Sequence, residues 1–277
     1  SRYFTNTRGK ALSTGWFGLS TAEFLMPVTI IYALTIMDWR NIWIIISVAI
    51  ILFLPLVSYF LVKEVKLSSR EDDNKVTKEN IKQWKRSEVI KDYRFIIIAL
   101  NMLAMPWIAT GIFVYQSFIL SAKNWGEYTI AQSFMVYSIA SVLTLFVAGY
   151  LIDKFTSRKL LIYMNIPFLI SLLILIYFQS PVSSFFFLGL IGVSNGFANV
   201  LGSSTWAELY GVKFIGSIKA LTTALMVFST AFGTALFGLM IDFDFSIEQI
   251  SMISGGYILI SLILLFLIKN KLNPTIL

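Results

Sequence analysis

The chain has 277 residues, 57% of them hydrophobic and 13% charged, with a mean hydropathy of +0.78 and a formal net charge of +7. A soluble domain carries roughly 25% charged residues, so the polar side chains here are too few to clothe a water-soluble fold, and lipid is the solvent for much of the chain. Cys and His are absent, which removes disulfides, thiol nucleophiles, imidazole bases and the usual zinc ligands, and no cofactor or metal is expected.

From the N-terminus, eight apolar stretches reach the roughly 20 residues that a helix needs to cross the hydrocarbon core. They are residues 11–34, 42–62, 95–120, 129–152, 160–178, 184–206, 218–241 and 247–268. The Lys and Arg residues between them are one-sided. The first, third, fifth, seventh and ninth intervening segments hold 3, 10, 3, 2 and 2, with Lys219 counted in the loop before its span. The alternate segments hold only Arg40 and Lys123. This is the positive-inside pattern, and it predicts that both termini and the loop 63–94 are cytoplasmic. The positive charge thus follows from topology, and nucleic acid is not an expected partner. Loop 63–94 mixes ten basic with seven acidic residues and reads as a tether between two bundles. Val76, Ile81 and Trp84 mark a candidate short helix on the membrane surface within it. No signal peptide opens the chain, and the first residue is Ser1, so the true start is expected to lie upstream.

One chain segment is written nearly twice. KALSTGWFGLSTA at residues 10–22 returns as KALTTALMVFSTA at residues 219–231, an offset of 209 with no gap. Each copy opens a span that leaves the cytoplasmic side, so the repeat is parallel, and six spans separate the two copies. A six-helix unit used twice in one orientation is a two-bundle transporter architecture.

Residues along the chain, in order, resemble the major facilitator superfamily. Arg8-Gly9-Lys10-Ala11-Leu12-Ser13 is similar to the basic approach to its fifth helix, and Asp38-Trp39-Arg40 to the outer turn after it. Lys91-Asp92-Tyr93-Arg94-Phe95 resembles the approach to the seventh helix. The run GYLIDKFTSRK, from Gly149 to Lys159, resembles the cytoplasmic loop signature between the eighth and ninth, with Thr156 and Ser157 where Gly and Arg are usual. Trp206-Ala207-Glu208-Leu209-Tyr210-Gly211, with Gly216, resembles the approach to the eleventh. The seventh and eleventh helices loosely resemble the monocarboxylate and oxalate–formate branch.

The resemblance implies an all-α membrane protein with a major-facilitator-type two-bundle fold, incomplete here, with eight transmembrane helices and both termini cytoplasmic. Residues 1–62 would be the last two helices of the N-terminal bundle, 63–94 a cytoplasmic linker and 95–277 a complete six-helix C-terminal bundle. The chain would then belong to a protein of about 400 residues, with four missing N-terminal helices as partner. The expected location is a bacterial inner membrane. The implied function is secondary active transport of a small solute by alternating access, coupled to protons or ions or run as exchange. An intramembrane enzyme would need converging nucleophile, base or metal groups that this composition denies. A channel would need rings of repeated polar residues. A non-transporting sensor on the same fold stays open.

The resemblance places the Asp153 loop beside the start of the fifth helix. Arg8, Asp153, Lys154, Arg158 and Lys159 are therefore candidates for a cytoplasmic gate of contacts that form and break between two states. Glu23 is the one acid deep within a span, and its repeat counterpart is Phe232. An ionisable group at that depth is a functional candidate by default, and Glu23 is a candidate proton-coupling residue. By resemblance, Asn101, Trp107, Tyr115, Gln116, Asn195 and Asn199 are candidates for the substrate pathway. Asn101 and Tyr115 are four ideal turns apart and would share a face. Pro106 is positioned to kink the same helix. Gly189, Gly192, Gly196 and Gly202 thin the helix that carries Asn195 and Asn199, for close packing or for bending. No Lys or Arg is read within any of the eight spans, so an anionic substrate would be expected to find its cation in the missing helices.

Overall fold

In the computed structural model, residues 82–275 are described continuously, together with 32–64 and parts of 21–30. Two compact units emerge, one within Thr21–Asn80 and one within Ile81–Leu277. Among the described residues, seven helices are long and apolar enough to cross a membrane. The first expected span, 11–34, lies mostly outside them, with Glu23 and Arg8.

In the smaller unit, helical residues within 21–34 lead through a turn into α1 (Trp39–Glu64). Asp38 caps that helix by accepting a hydrogen bond from the Trp39 N–H at 2.9 Å. Arg40 lies 4.8 Å over the Trp39 ring. The helix exposes Ile44, Ile51 and Phe53. An apolar helix exposed in this way suits lipid and not water.

The larger unit opens with extended residues 82–85 and a single turn, α2 (Arg86–Val89). Trp84 is not helical, contrary to the surface helix expected around it. Its ring meets Tyr210 edge-on at 5.6 Å, with the Lys82 ammonium 4.1 Å above it. Val76 and Ile81 lie outside the described residues.

The stretch expected as one helix over 95–120 is built in pieces. They are α3 (Tyr93–Ala104), a π-helical turn (Met105–Ala109), α4 (Thr110–Val114) and α5 (Gln116–Lys123). Pro106 lacks an N–H and sits inside the π turn, where the ladder is already broken. Backbone carbonyls just before it accept from three other parts of the chain. Tyr257 donates to the Leu100 oxygen at 2.8 Å, Asn165 to the Asn101 oxygen at 2.6 Å and Ser229 to the Leu103 oxygen at 3.2 Å. In hydrocarbon a broken helix persists only where neighbours satisfy its backbone.

α6 (Glu127–Phe155) follows, then α7 (Ser157–Met164) and α8 (Ile166–Tyr177), which together make one span interrupted at Asn165. α9 (Ser183–Tyr210), α10 (Ile215–Asp242) and α11 (Ile247–Ile268) complete the unit. The α6–α9 seam is the tightest. A Cβ on Gly192 would overlap the Tyr137 carbonyl, and one on Gly196 would fall 2.6 Å from the Ser141 carbonyl oxygen. Small residues let two membrane helices meet backbone to backbone, where packing replaces a hydrophobic driving force. The Ser133 and Ser184 hydroxyls meet across the same seam at 2.7 Å.

Two apolar clusters stack along the bundle. One, toward the end rich in Lys and Arg, contains Ile98, Leu145, Leu161, Trp206 and Leu265. The other, toward the opposite end, contains Ile108, Phe168, Phe187, Phe237 and Ile258.

Candidate functional site

Between these clusters lies a cavity of about 550 Å³, walled by α3, the π turn, α4, α9 and α10. Asn195 and Asn199 of α9 both line it, as one face of a helix places residues four apart. Their states differ. The Asn195 amide donates to the Ser141 hydroxyl of α6 at 3.0 Å, whereas Asn199 makes no hydrogen bond among the described residues. Gly202 and Ser203 continue the same wall. A Cβ on Gly202 would meet nothing within 4 Å. The four glycines of α9 therefore divide: Gly192 and Gly196 serve the seam, a Cβ on Gly189 would fall 3.2 Å from the Val136 side chain, and Gly202 opens the cavity.

The pathway candidates on the broken span are not on this wall. Asn101 is fully buried and donates to Ser261 of α11 at 3.3 Å. Trp107 is buried among Phe232, Phe237 and Tyr257. Tyr115 stands at the junction of α4 and α5 with its hydroxyl over Gly238 of α10, and Gln116 begins α5. The shared face expected for Asn101 and Tyr115 fails for a physical reason. A π turn inserts an extra residue and shifts every later side chain around the axis by about 100°. The residues of this span that do reach the cavity are Met102, Met105, Pro106, Thr110 and Phe113.

Lys219 also lines the cavity. It lies in the first turns of α10, so its place is in the span and not in the preceding loop. Thr222 and Thr223 follow it on the same wall. Position along the sequence gives no sign of which way a cation at a helix start points, and sequence reasoning missed it.

At the basic end the expected gate residues sit around the turn between α6 and α7. Thr156 adopts φ 75°, a conformation that favours glycine. Arg158 pairs with Glu208 of α9 at 3.0 Å, and the same carboxylate accepts from the Ser157 N–H at 2.9 Å. Arg158 also donates to the Leu272 carbonyl and the Asn273 side chain, at 3.1 and 2.8 Å. Asp153, Lys154 and Lys159 are exposed. Lys154 lies 5.2 Å from the Phe155 ring. Nearby, Asp92 caps α3, pairs with Arg94 at 2.8 Å and accepts from the buried Tyr210 hydroxyl at 3.2 Å. Arg94 in turn holds the Asn273 carbonyl at 2.8 Å. Gly211, at φ 82°, lies against the Gln83 side chain, which leaves no room for a Cβ. Within α2, Glu88 is held beneath the usual carboxylate range by the Lys85 backbone N–H and by Lys82. A second cavity, about 670 Å³, opens at this end beside Arg158, Lys159 and Lys269.

No curated protein matches the chain. The sequence model of the Major Facilitator Superfamily matches it over residues 1–234 and again over 96–276.

Proposed function

Because the chain belongs to the Major Facilitator Superfamily, a family of membrane transporters, we propose that it carries a small solute by alternating access, driven by protons, by ions or by exchange. The single observation that carries this reading is a largely apolar cavity with a few polar side chains on its wall, Asn195, Asn199 and Ser203 among them. These three side chains of α9 put polar groups on the wall of a space of about 550 Å³ within otherwise apolar spans. That volume suits a small molecule, and midplane sites between helices are where such carriers bind.

In this reading the basic end faces the cytoplasm, and residues 1–62, 63–94 and 95–277 are two helices of one bundle, a linker and a six-helix bundle. Asn195 and Asn199 contact substrate. Asn101, Trp107, Tyr115 and Gln116 support the broken span behind it. The π turn lets that span bend, since its carbonyls are held by partners outside the helix. Arg158 and Asp153, with Arg8, Lys154 and Lys159, belong to the cytoplasmic gate. The Arg158–Glu208 contact is half-buried, so it contributes little and can break. Glu23 couples proton movement to transport.

Reconstituted in liposomes, the full chain should exchange labelled for unlabelled solute without net flux; net leak without such exchange would make it a channel. Glu23→Gln should abolish accumulation driven by an imposed pH gradient while leaving exchange intact. Unchanged gradient-driven uptake would remove Glu23 from the coupling.

A further inference from the structure

Beyond the carrier reading, we propose that the second cavity, at the basic end, holds the headgroup of an anionic phospholipid, with Lys159 and Lys269 pairing to its phosphate. This space of about 670 Å³ is walled by the end of α6, the start of α7 and the chain at the end of α11. Each wall is the terminus of a membrane span, Gln132–Phe155, Ser157–Tyr177 and Ile247–Lys271. Span ends that meet around one cavity put its opening at the depth of the lipid headgroups.

The charge of the cavity is one-sided. Arg158, Lys159 and Lys269 line it, and no Asp or Glu lies among the described residues that do so. Arg158 is already committed to Glu208 at 3.0 Å and to the Leu272 carbonyl and Asn273 side chain, contacts that fix the inner wall. The two lysines are not so held. Among the described residues Lys159 makes no ion pair or hydrogen bond, and Lys269 has only the Phe266 ring, 3.6 Å away. The Asn270 side chain and the Tyr163 hydroxyl, on the same wall, make no hydrogen bond among the described residues either. Two ammonium groups with an amide and a phenol beside them are a charge-assisted donor set for phosphate oxygens. The apolar remainder selects a lipid over a soluble phosphate. Leu151, Phe155 and Ile162 fill out the wall, and Phe155 and Tyr163 are exposed at its rim. On α7, Lys159, Ile162 and Tyr163 stand at spacings of three and four, so one helix face runs from the cation into the span. Acyl chains can follow that face while the phosphate stays with the lysines, as basic pockets between membrane helices hold anionic headgroups.

The test uses the purified, delipidated full chain in neutral detergent. Native mass spectrometry compares the first binding of dioctanoyl phosphatidylglycerol with that of dioctanoyl phosphatidylcholine. The two share chains and a phosphate, but the choline cation would meet the lysines. Phosphatidylglycerol should bind roughly tenfold or more tightly, and the ratio should shrink as salt is raised. Lys159→Gln combined with Lys269→Gln should erase the preference, and Lys159→Arg combined with Lys269→Arg should keep it. If the double Gln variant does not fold, each single Gln variant should lower the ratio. Lys91→Gln combined with Lys271→Gln removes the same charge from exposed positions outside the cavity and should leave the ratio intact. Equal binding of the two lipids, or a preference that survives the loss of Lys159 and Lys269, overturns the proposal. So does an equal loss on removing Lys91 and Lys271, which would show diffuse surface charge and not a site. Glycerol 3-phosphate and inorganic phosphate, added at the concentration of the lipid, should not displace it; displacement by either makes the cavity a soluble-phosphate site and overturns the lipid. None of these results bears on solute exchange, so the carrier reading stands or falls separately.

Discussion

At the end of the bundle opposite the cluster of Lys and Arg, Lys123 has no exposed side-chain surface and reaches Glu248 at 2.7 Å. Lys123 ends α5 and Glu248 lies in the first turn of α11, so each charge also complements its helix dipole. At the basic end the load is divided. Arg158 pairs with Glu208, Arg94 pairs with Asp92, Tyr210 reaches Asp92, backbone hydrogen bonds tie Lys82 to Thr275 and Trp84 to Tyr210, and the Arg94 side chain holds the Asn273 carbonyl. The Arg158 and Glu208 side chains are each 23% exposed. One end thus has a single ion pair with its cation fully buried, and the other has several linked contacts, from the buried Arg94–Asp92 pair to the partly exposed Arg158–Glu208 pair. A surface that must part and re-form is better served by contacts that fail separately, whereas a buried pair is costly to split because desolvated charge is left behind.

The contrast can be broken most directly at Glu248. Glu248→Ala strands the buried ammonium of Lys123 and should lower stability by about 3 kcal/mol, measured as a fall in thermal unfolding in detergent. Lys123→Met should cost about 1 kcal/mol or less, because the Glu248 side chain, 32% exposed, can turn to water. Equal losses from the two would refute the asymmetry. At the basic end, Thr156→Gly removes a β-branched residue from φ 75° and should raise stability by about 1 kcal/mol. A loss would mean that the turn is held by something other than its backbone. Tyr210→Phe deletes one hydrogen bond to Asp92 and should cost about 0.5–1 kcal/mol, with hydrogen exchange quickening only around α2. A global drop would show that the basic end is as concentrated as its opposite. The smallest effect is acid loosening at Glu88. Its folded pKa is lowered, so its contribution is present above the ordinary carboxylate value and is lost as pH falls through the depressed one. Amide exchange at Lys85 should therefore rise below about pH 4.5, and no rise would remove Glu88 from the lattice.

Much of the helical plan can be read from apolar length alone. The span expected at 247–268 is α11 residue for residue, and those at 184–206 and 218–241 lengthen by only a few residues into polar helix ends. What the letters hide is where a helix changes pitch. Pro106 warned of a kink, but not of a π turn that rotates Tyr115 away from the face of Asn101. Asn195 and Asn199 could be placed on a common face because α9 is unbroken between them. That one donates to Ser141 and the other does not depends on which side of that face the α6 seam occupies. Lys219 shows the same limit in charge. A count of cations reads topology well and says nothing of direction. Lys123 and Glu248 lie 125 residues apart, and no local pattern joins them.

The three donors that serve the broken span also set an order of events during synthesis. The carbonyls of Leu100, Asn101 and Leu103 emerge first, and their partners follow 157, 64 and 126 residues later. Until Asn165, Ser229 and Tyr257 have left the ribosome, that stretch of backbone cannot be completed by its own chain. The nascent helix therefore gains these three outside donors only as the later spans arrive beside it.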